Sequence, residues 1–443
     1  MLKKSSLLFI LVVMLATALS GLATVAAQDK VSELTIWWAQ WDPANYLQQI
    51  GNDYEKATGI KVTVVQTPWG SFQDRVTTEW AAKGKSFDLI VGDSQWVGQG
   101  ATQGHYVDLT DFMVSNGIDK TVTPATLKYY GEYPAGSGKY WGYPTEGDAN
   151  GFAYRKDLFE NPDEMAAFKA KYGYDLAVPD TWEHLRDIAE FFTRPDKGLY
   201  GVNVYTQKDY DAITMGFENV FFSYGCNWQD EKNNVLGVVN AEPCVKALEL
   251  YKQLYSFAPP GNTNSFFQEM NDSFTNGQAV MVMNYFAFLP ALVSDTNKYK
   301  DVTGFFVMPK GPDGQQFAAL GGQGMSINSY IDDAHKQAAF DFLKWFAQED
   351  TQKTWAKYGG YTCNINVLNS DEFLKATPYN AAFAQTMTFV KDFWNIPEFA
   401  QLLAPTQSAL SGYVVGGQGE AKDVLDKLAE DQDKVLVDTG VIQ

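Results

Sequence analysis

Residues 33–92 read ELTIWWAQWDPANYLQQIGNDYEKATGIKVTVVQTPWGSFQDRVTTEWAAKGKSFDLIVG, and this stretch decides the fold class. Glu33–Trp38 is rich in β-branched and aromatic residues, and Trp41-Asp42-Pro43 breaks it and opens a helix from Ala44 to about Thr58. Tyr46, Leu47, Ile50 and Tyr54 recur there at helical spacing, and Gly59 is the expected stop. Lys61–Gln66 reads as a second strand and Ser71 to about Ala82 as a second helix. Asp88–Gly92 reads as a third strand, with a helix following from Gln95. Strands alternating with helices predict an α/β fold in which a parallel sheet carries helices on both faces.

The same alternation continues outward. Strands are expected at Leu199–Tyr205, Ala279–Tyr285 and Thr303–Met308, with helices at Asp211–Tyr224 and Ala241–Phe257. Beyond Ala334 the pattern is helical: 334–347, 351–357, 379–388, 399–414 and 420–433. No short repeat, low-complexity tract or Pro/Gly linker divides the chain. A sequence too long for one core, yet without a simple boundary, fits a chain that crosses between two lobes several times.

The chain has 443 residues, 34 basic and 53 acidic, with a formal charge of −19. That field repels phosphate backbones and anionic membrane surfaces, so no nucleic-acid or membrane partner is expected. Only three histidines occur, scattered at His105, His184 and His335, so neither a metal centre nor histidine-based catalysis is expected. Residues 1–27 read as an export signal: Lys3 and Lys4, then apolar Leu7–Leu19, then Val25-Ala26-Ala27, with cleavage before Gln28. The product is expected to be periplasmic or extracellular, without the cysteine of a lipid anchor. Among the three cysteines, Cys226, Cys244 and Cys363, three pairings are open. Cys226–Cys244 is the first choice, because the two bracket a short segment.

Motifs that betray common enzymes are missing. Gly136-Ser137-Gly138-Lys139 lacks the earlier glycine of a phosphate loop, and the glycines at 98, 100 and 104 miss the dinucleotide spacing by one residue. No cofactor is expected. Aromatics are abundant, with 12 Trp, 24 Tyr and 29 Phe, and Trp41, Trp69 and Trp96 each stand where a strand hands over to a helix. Open α/β sheets bind ligands beyond the carboxyl ends of their strands. An indole covers the apolar face of a pyranose, while carboxylates and amides grip vicinal hydroxyls. Gln40, Gln66, Asp93, Gln95, Glu146 and Asp148 lie near these handovers. Asp42 and Asp180 read as helix caps, and Tyr154 and Trp182 as core.

Residues 54–62, YEKATGIKV, resemble the F-E-K-x-T-G-I-x-V signature of extracellular solute-binding proteins of carbohydrate ABC transporters. Five further matches follow in the family's order: Phe87–Val91 with Gly104–Leu109; Trp141–Pro144 with Ala153–Phe159; Pro179–Leu185; Phe274–Met283; and Ala339–Gln352. The resemblance implies a two-lobed periplasmic-binding-protein-like (type II) fold with three crossovers and a ligand cleft between lobes. Lobe 1 is expected at 28–145 plus 309–347, and lobe 2 at 146–308 plus 348–443. It also implies a monomer that captures a sugar, oligosaccharide or sugar alcohol by hinge closure and delivers it to a membrane permease.

Carried over residue by residue, the resemblance suggests a pocket from Gln40, Trp41, Trp69, Asp93, Trp96, Glu146, Asp148 and Asp211. Tyr285 follows the A-V-M-V-M strand where relatives usually place Trp. Gly321-Gly322-Gln323 resembles the family's glycine pair beside the ligand, which places Gly322 and Gln323 in the site; Tyr361 follows Gly359-Gly360, and Trp394 stands where relatives place another aromatic platform. The competing reading is a secreted glycoside hydrolase using paired carboxylates of the same cleft, such as Glu146 and Asp93, which would have to stand about 5–9.5 Å apart.

Overall fold

A computed structural model describes residues 31–208 and 211–443; the expected export signal lies outside the described residues. The strands are β1 (Glu33–Ala39), β2 (Lys61–Thr67), β3 (Leu89–Asp93), β4 (Tyr143–Glu146), β5 (Asn150–Arg155), β6 (Tyr200–Asn203), β7 (Ala279–Tyr285), β8 (Thr303–Phe306), β9 (Ala318–Ala319), β10 (Gln323–Ile327) and β11 (Val390–Lys391). They form a five-stranded sheet β2-β1-β3-β10-β4, a four-stranded sheet β6-β7-β5-β8 and a small β9-β11 ribbon.

The opening stretch folds as its periodicity dictates. The helix Asp42–Thr58 buries Leu47, Ile50 and Tyr54 and ends at Gly59, whose φ of 78° closes the helix while its N–H donates to the Glu55 carbonyl. Only glycine enters that backbone region without steric cost. β1 pairs in parallel with β2 and β3, as expected. The sheet is nevertheless mixed rather than parallel, because β10 runs antiparallel to both β3 and β4. The second sheet is mixed too: β5 is antiparallel to β7 and β8, and only β6–β7 is parallel. All seven residues of β7 are buried, as a central strand covered on both faces requires.

Local expectations meet the structure unevenly. Trp182 is fully buried, whereas Tyr154 is half-buried against Phe159 and Phe306. The cap of the helix Trp182–Phe192 is Thr181, whose side chain accepts from the His184 N–H. Asp180 is not the cap; it pairs with His184 Nδ1 at 2.7 Å. Asp42 likewise sits inside the first turn of its helix, and Trp41 holds the capping position without a side-chain bond. Cys226 and Cys244 form a disulfide, and Cys363 is free and buried.

The chain passes between the two sheets in three segments lying side by side. β4 ends at Glu146 in the first sheet and β5 begins at Asn150 in the second. The segment joining β9 to β10 makes an Ala149–Leu320 bridge beside them. The third passage runs through Tyr361, whose carbonyl accepts from Gly147 N at 2.6 Å and whose hydroxyl donates to Phe286 O at 2.6 Å. The helix Glu349–Tyr358, expected in lobe 2, packs instead on the helix Asp42–Thr58 beside the first sheet. Tyr358 donates to Asp53 at 2.6 Å, and Trp355 lies 6.4 Å from Trp38.

Candidate ligand-binding site

A cavity of about 800 Å³ opens between the two sheets, within the usual size range of ligand pockets. The first sheet contributes residues just beyond its strands: Trp41 after β1, Trp69 at the head of the helix Trp69–Ala81, and Asp93-Ser94-Gln95 at the end of β3. Asp148 and Gly321-Gly322 come from the crossing segments. From the other side come Asp211, Met215, Tyr285, the pair Phe266-Phe267 and Phe288. The helix Phe399–Val414 adds Phe399, Leu403 and Gln407.

The aromatic residues form a continuous wall. Trp41 meets Trp69 edge to face, with centroids 5.4 Å apart at 78°. It also approaches Phe288 at 6.4 Å, and Phe288 stacks on Phe267 at 4.1 Å. The floor is acidic and hydrogen-bonded. Asp93 accepts from Gln323 Nε2 at 2.5 Å, and Gln323 in turn accepts from the Trp38 indole N–H. Gln95 Nε2 stands 3.4 Å from a carboxylate oxygen of both Asp93 and Asp211, so one amide bridges acids of opposite sides. Asp148 accepts from the backbone N–H of Ala149 at 2.9 Å and of Ala287 at 3.1 Å.

Burial dominates the electrostatics. It pushes the Asp148 carboxyl up to about 8 against those hydrogen bonds, because a low-dielectric site disfavours the charged form. Asp211 is raised well above its ordinary value by burial and then by neighbouring Asp93. Behind the wall, burial raises Asp392 to about 7 and lifts Glu218 well above the carboxylate range, and it lowers Lys391 to about 8.

Of the residues singled out from sequence, Trp41, Trp69, Asp93, Gln95, Asp148, Asp211, Tyr285 and Gly322 line this cavity. The others stand elsewhere. Gln40 is exposed and faces a shallow depression with Trp41, Asn45 and Gln66. Trp96 is buried against Phe72, centroids 5.4 Å apart, because a 3₁₀ turn over Ser94–Trp96 swings it inward while presenting Ser94 and Gln95. Gln323 is fully buried and acts on the cavity through Asp93. Trp394 is buried against Trp228, ring centroids 4.8 Å apart and tilted by 37°, leaving Phe393 to face the cavity. Tyr361 lines a separate 290 Å³ pocket. Glu146 is fully buried and accepts from Tyr361 N at 3.2 Å. The Glu146–Asp93 pair of the hydrolase reading therefore does not face one another across the cavity.

The glycine pair is explained by close approach, though of protein rather than ligand. A Cβ on Gly322 would stand 1.9 Å from the Glu146 carbonyl oxygen, and one on Gly321 would stand 2.1 Å from the Tyr285 ring. Sequence reasoning missed Phe267, Phe288, Gln207 and Gln407. Phe288 had a visible signal: the Phe286-Ala287-Phe288 run directly after β7, of which Phe286 is buried and Phe288 reaches the cavity.

Two mixed sheets joined by three side-by-side passages, with an aromatic and acidic cavity between them, define a two-lobed ligand-binding protein. Residues 39–353 match the family of bacterial extracellular solute-binding proteins, and the chain belongs to that family. A probable amino-acid ABC transporter periplasmic-binding protein of Sinorhizobium fredii is 24% identical over 337 residues, covering 75% of this chain and 73% of its own. A solute-binding protein of an ABC transporter from Agrobacterium radiobacter K84, solved with ribitol, superposes with a TM-score of 0.77. It is 26% identical, with 91% of this chain and 98% of that chain covered. A maltose-bound protein of T. maritima gives a TM-score of 0.77 at 22% identity, covering 91% of this chain and 100% of its own. Among the described residues no helix is long and apolar enough to cross a membrane.

Proposed function

We propose that this chain is the substrate-binding component of a carbohydrate ABC importer, capturing a sugar or sugar alcohol between its lobes and passing it unaltered to a membrane permease. The observation that carries this reading is the cavity itself: the Trp41–Trp69 corner supplies flat apolar faces, and Asp93, Asp148 and Asp211 supply acceptors for vicinal hydroxyls. The ribitol and maltose of the similar structures are ligands of that chemistry. The name of the S. fredii relative suggests an amino acid instead. An α-carboxylate, however, calls for a basic partner, and among the described residues lining the cavity none is Lys, Arg or His; hydroxyls have no such need.

In this reading the export signal at 1–27 is removed and the mature protein works as a monomer outside the cytoplasmic membrane. Lobe 1 comprises about 28–145 with 321–358, and lobe 2 about 150–318 with 362–443. The sheet membership of β4 and β10 and the packing of the helix Glu349–Tyr358 support these boundaries. Closure is driven by the tighter grip of the closed state on the ligand, since a ligand shifts an equilibrium only by its differential affinity. A thermal-shift screen of the mature protein against sugars and polyols should raise the melting temperature for at least one of them. Hydrolysis of the bound sugar, or no stabilisation by any member, would refute the reading.

A further inference from the structure

The lining of the cavity is unbalanced in charge. Asp93, Asp148 and Asp211 stand on the floor and Asp74 and Glu269 at the exposed rim, with no basic side chain among the described lining residues. Lys391, which acts on the buried Glu218 behind the wall, donates to Cys226 O and to the Asn227 side chain. Asp211 is only 2% exposed, and its Oδ1 has no hydrogen-bond partner although it lines the cavity. A buried acceptor left unmatched incurs its full desolvation penalty until something donates to it. Its other oxygen shares Gln95 Nε2 with Asp93. Two carboxyl groups from opposite sides therefore converge on one donor group, which is neutral.

We propose that the ligand is a hydroxyl-rich amine, an amino sugar or amino polyol, whose ammonium group donates to Asp211 Oδ1 beside Asp93 while its carbon skeleton lies along the Trp41–Trp69–Phe288 wall. A neutral polyol would fill the same hydrogen bonds and leave Asp211 and Asp148 in their neutral form; an ammonium favours their ionised form and pairs with it. Its hydrogen bonds to a carboxylate are charge-assisted and roughly twice as strong as neutral ones. The surrounding ring faces attract a cation as well as a sugar face. Burial, which holds Asp148 and Asp211 well above ordinary carboxylate values, expresses the same deficit: these groups lack a cationic neighbour.

The inference rests on the carbohydrate reading and is tested separately from it. Calorimetry on the mature protein compares matched pairs, glucosamine with glucose and 1-amino-1-deoxysorbitol with sorbitol, and adds spermidine as an amine without hydroxyls. The expected result is that at least one amine binds tenfold or more tighter than its hydroxyl partner. In Asp211→Asn the ratio of the two affinities falls to threefold or less, whatever loss the amine and its hydroxyl partner share. Equal or weaker binding of both amines overturns this inference alone and leaves the carbohydrate reading standing. Spermidine binding with no sugar or polyol bound overturns the reading beneath it. The wild-type comparison decides the matter even if Asp211→Asn does not fold.

Discussion

Asp148 offers a quantitative test of how the site is built. In the ligand-free protein its carboxyl is raised from 3.8 to about 8 by burial, so between those values the folded chain keeps a proton that the unfolded chain has released. Stability then falls as pH rises, by about 1.4 kcal/mol per pH unit for one proton. From pH 5 to pH 7 the loss attributable to Asp148 is about 2.7 kcal/mol. Asp148→Asn keeps an oxygen for the Ala149 and Ala287 N–H donors and removes the titration. Urea unfolding of both proteins at pH 5, 6 and 7 should show the wild type losing about 2.7 kcal/mol more than the variant. Asp392, Glu218, Asp211 and Glu146 add slopes of the same sign to both proteins, and His105, lowered by burial, adds one of opposite sign to both. The comparison cancels all of these except Glu146, whose elevation is partly due to Asp148 itself. Asp53, Glu164 and Glu190, held below their ordinary values by Lys56, Arg194 and Lys171 respectively, lose their contribution only below this window. Parallel slopes for wild type and variant would refute the claim that Asp148 is buried and protonated at neutral pH.

Trp41 and Trp69 should act on affinity, since each stacked ring contributes about 0.5–1.5 kcal/mol beyond its buried area; the double alanine variant should weaken sugar binding roughly tenfold or more by calorimetry. Trp96→Ala should instead lower stability by about 3–5 kcal/mol in denaturant unfolding and leave affinity within about threefold, because the ring packs on Phe72 away from the ligand. Gly322→Ala forces a Cβ to within 1.9 Å of the Glu146 carbonyl oxygen and should lose about 1–3 kcal/mol, and an unchanged urea midpoint would contradict it. Mass spectrometry of unreduced peptides should find Cys226 joined to Cys244, and replacing both by serine should lower stability by about 2–4 kcal/mol.

The first lobe was legible where its structure is local. Helical spacing over 42–58 and β-branched runs at β1 and β2 specify their elements without help from distant residues, and the register Glu33↔Lys61 through Ala39↔Thr67 follows from two amphipathic strands and one short crossover. β10 was not legible. Its residues, Gln323-Gly324-Met325-Ser326-Ile327, have weak strand character, and they become a strand because β3, some 230 residues earlier, offers its free edge. The expectation of a parallel sheet failed at that point, since periodicity reports an element's own faces and not the direction of the partner it meets.

The site divides along the same physical line. A strand-end position places a residue near the mouth of a sheet, but the next two or three backbone torsions decide whether its side chain turns toward the cleft or the core. Trp41 and Trp69 turn outward; Trp96, carried round by one 3₁₀ turn, turns inward and yields the surface to Ser94 and Gln95. The same holds for Phe286 against Phe288 and for Trp394 against Phe393. Residue chemistry is thus readable one step before residue orientation, which is why indoles and carboxyls, the expected classes of side chain, line the cavity while several of the individual residues do not. The acids follow from a further step. Asp93 and Asp211 are brought to one Gln95 amide only when the two sheets come together, so their charge imbalance is a property of the assembled cleft that neither lobe's sequence contains.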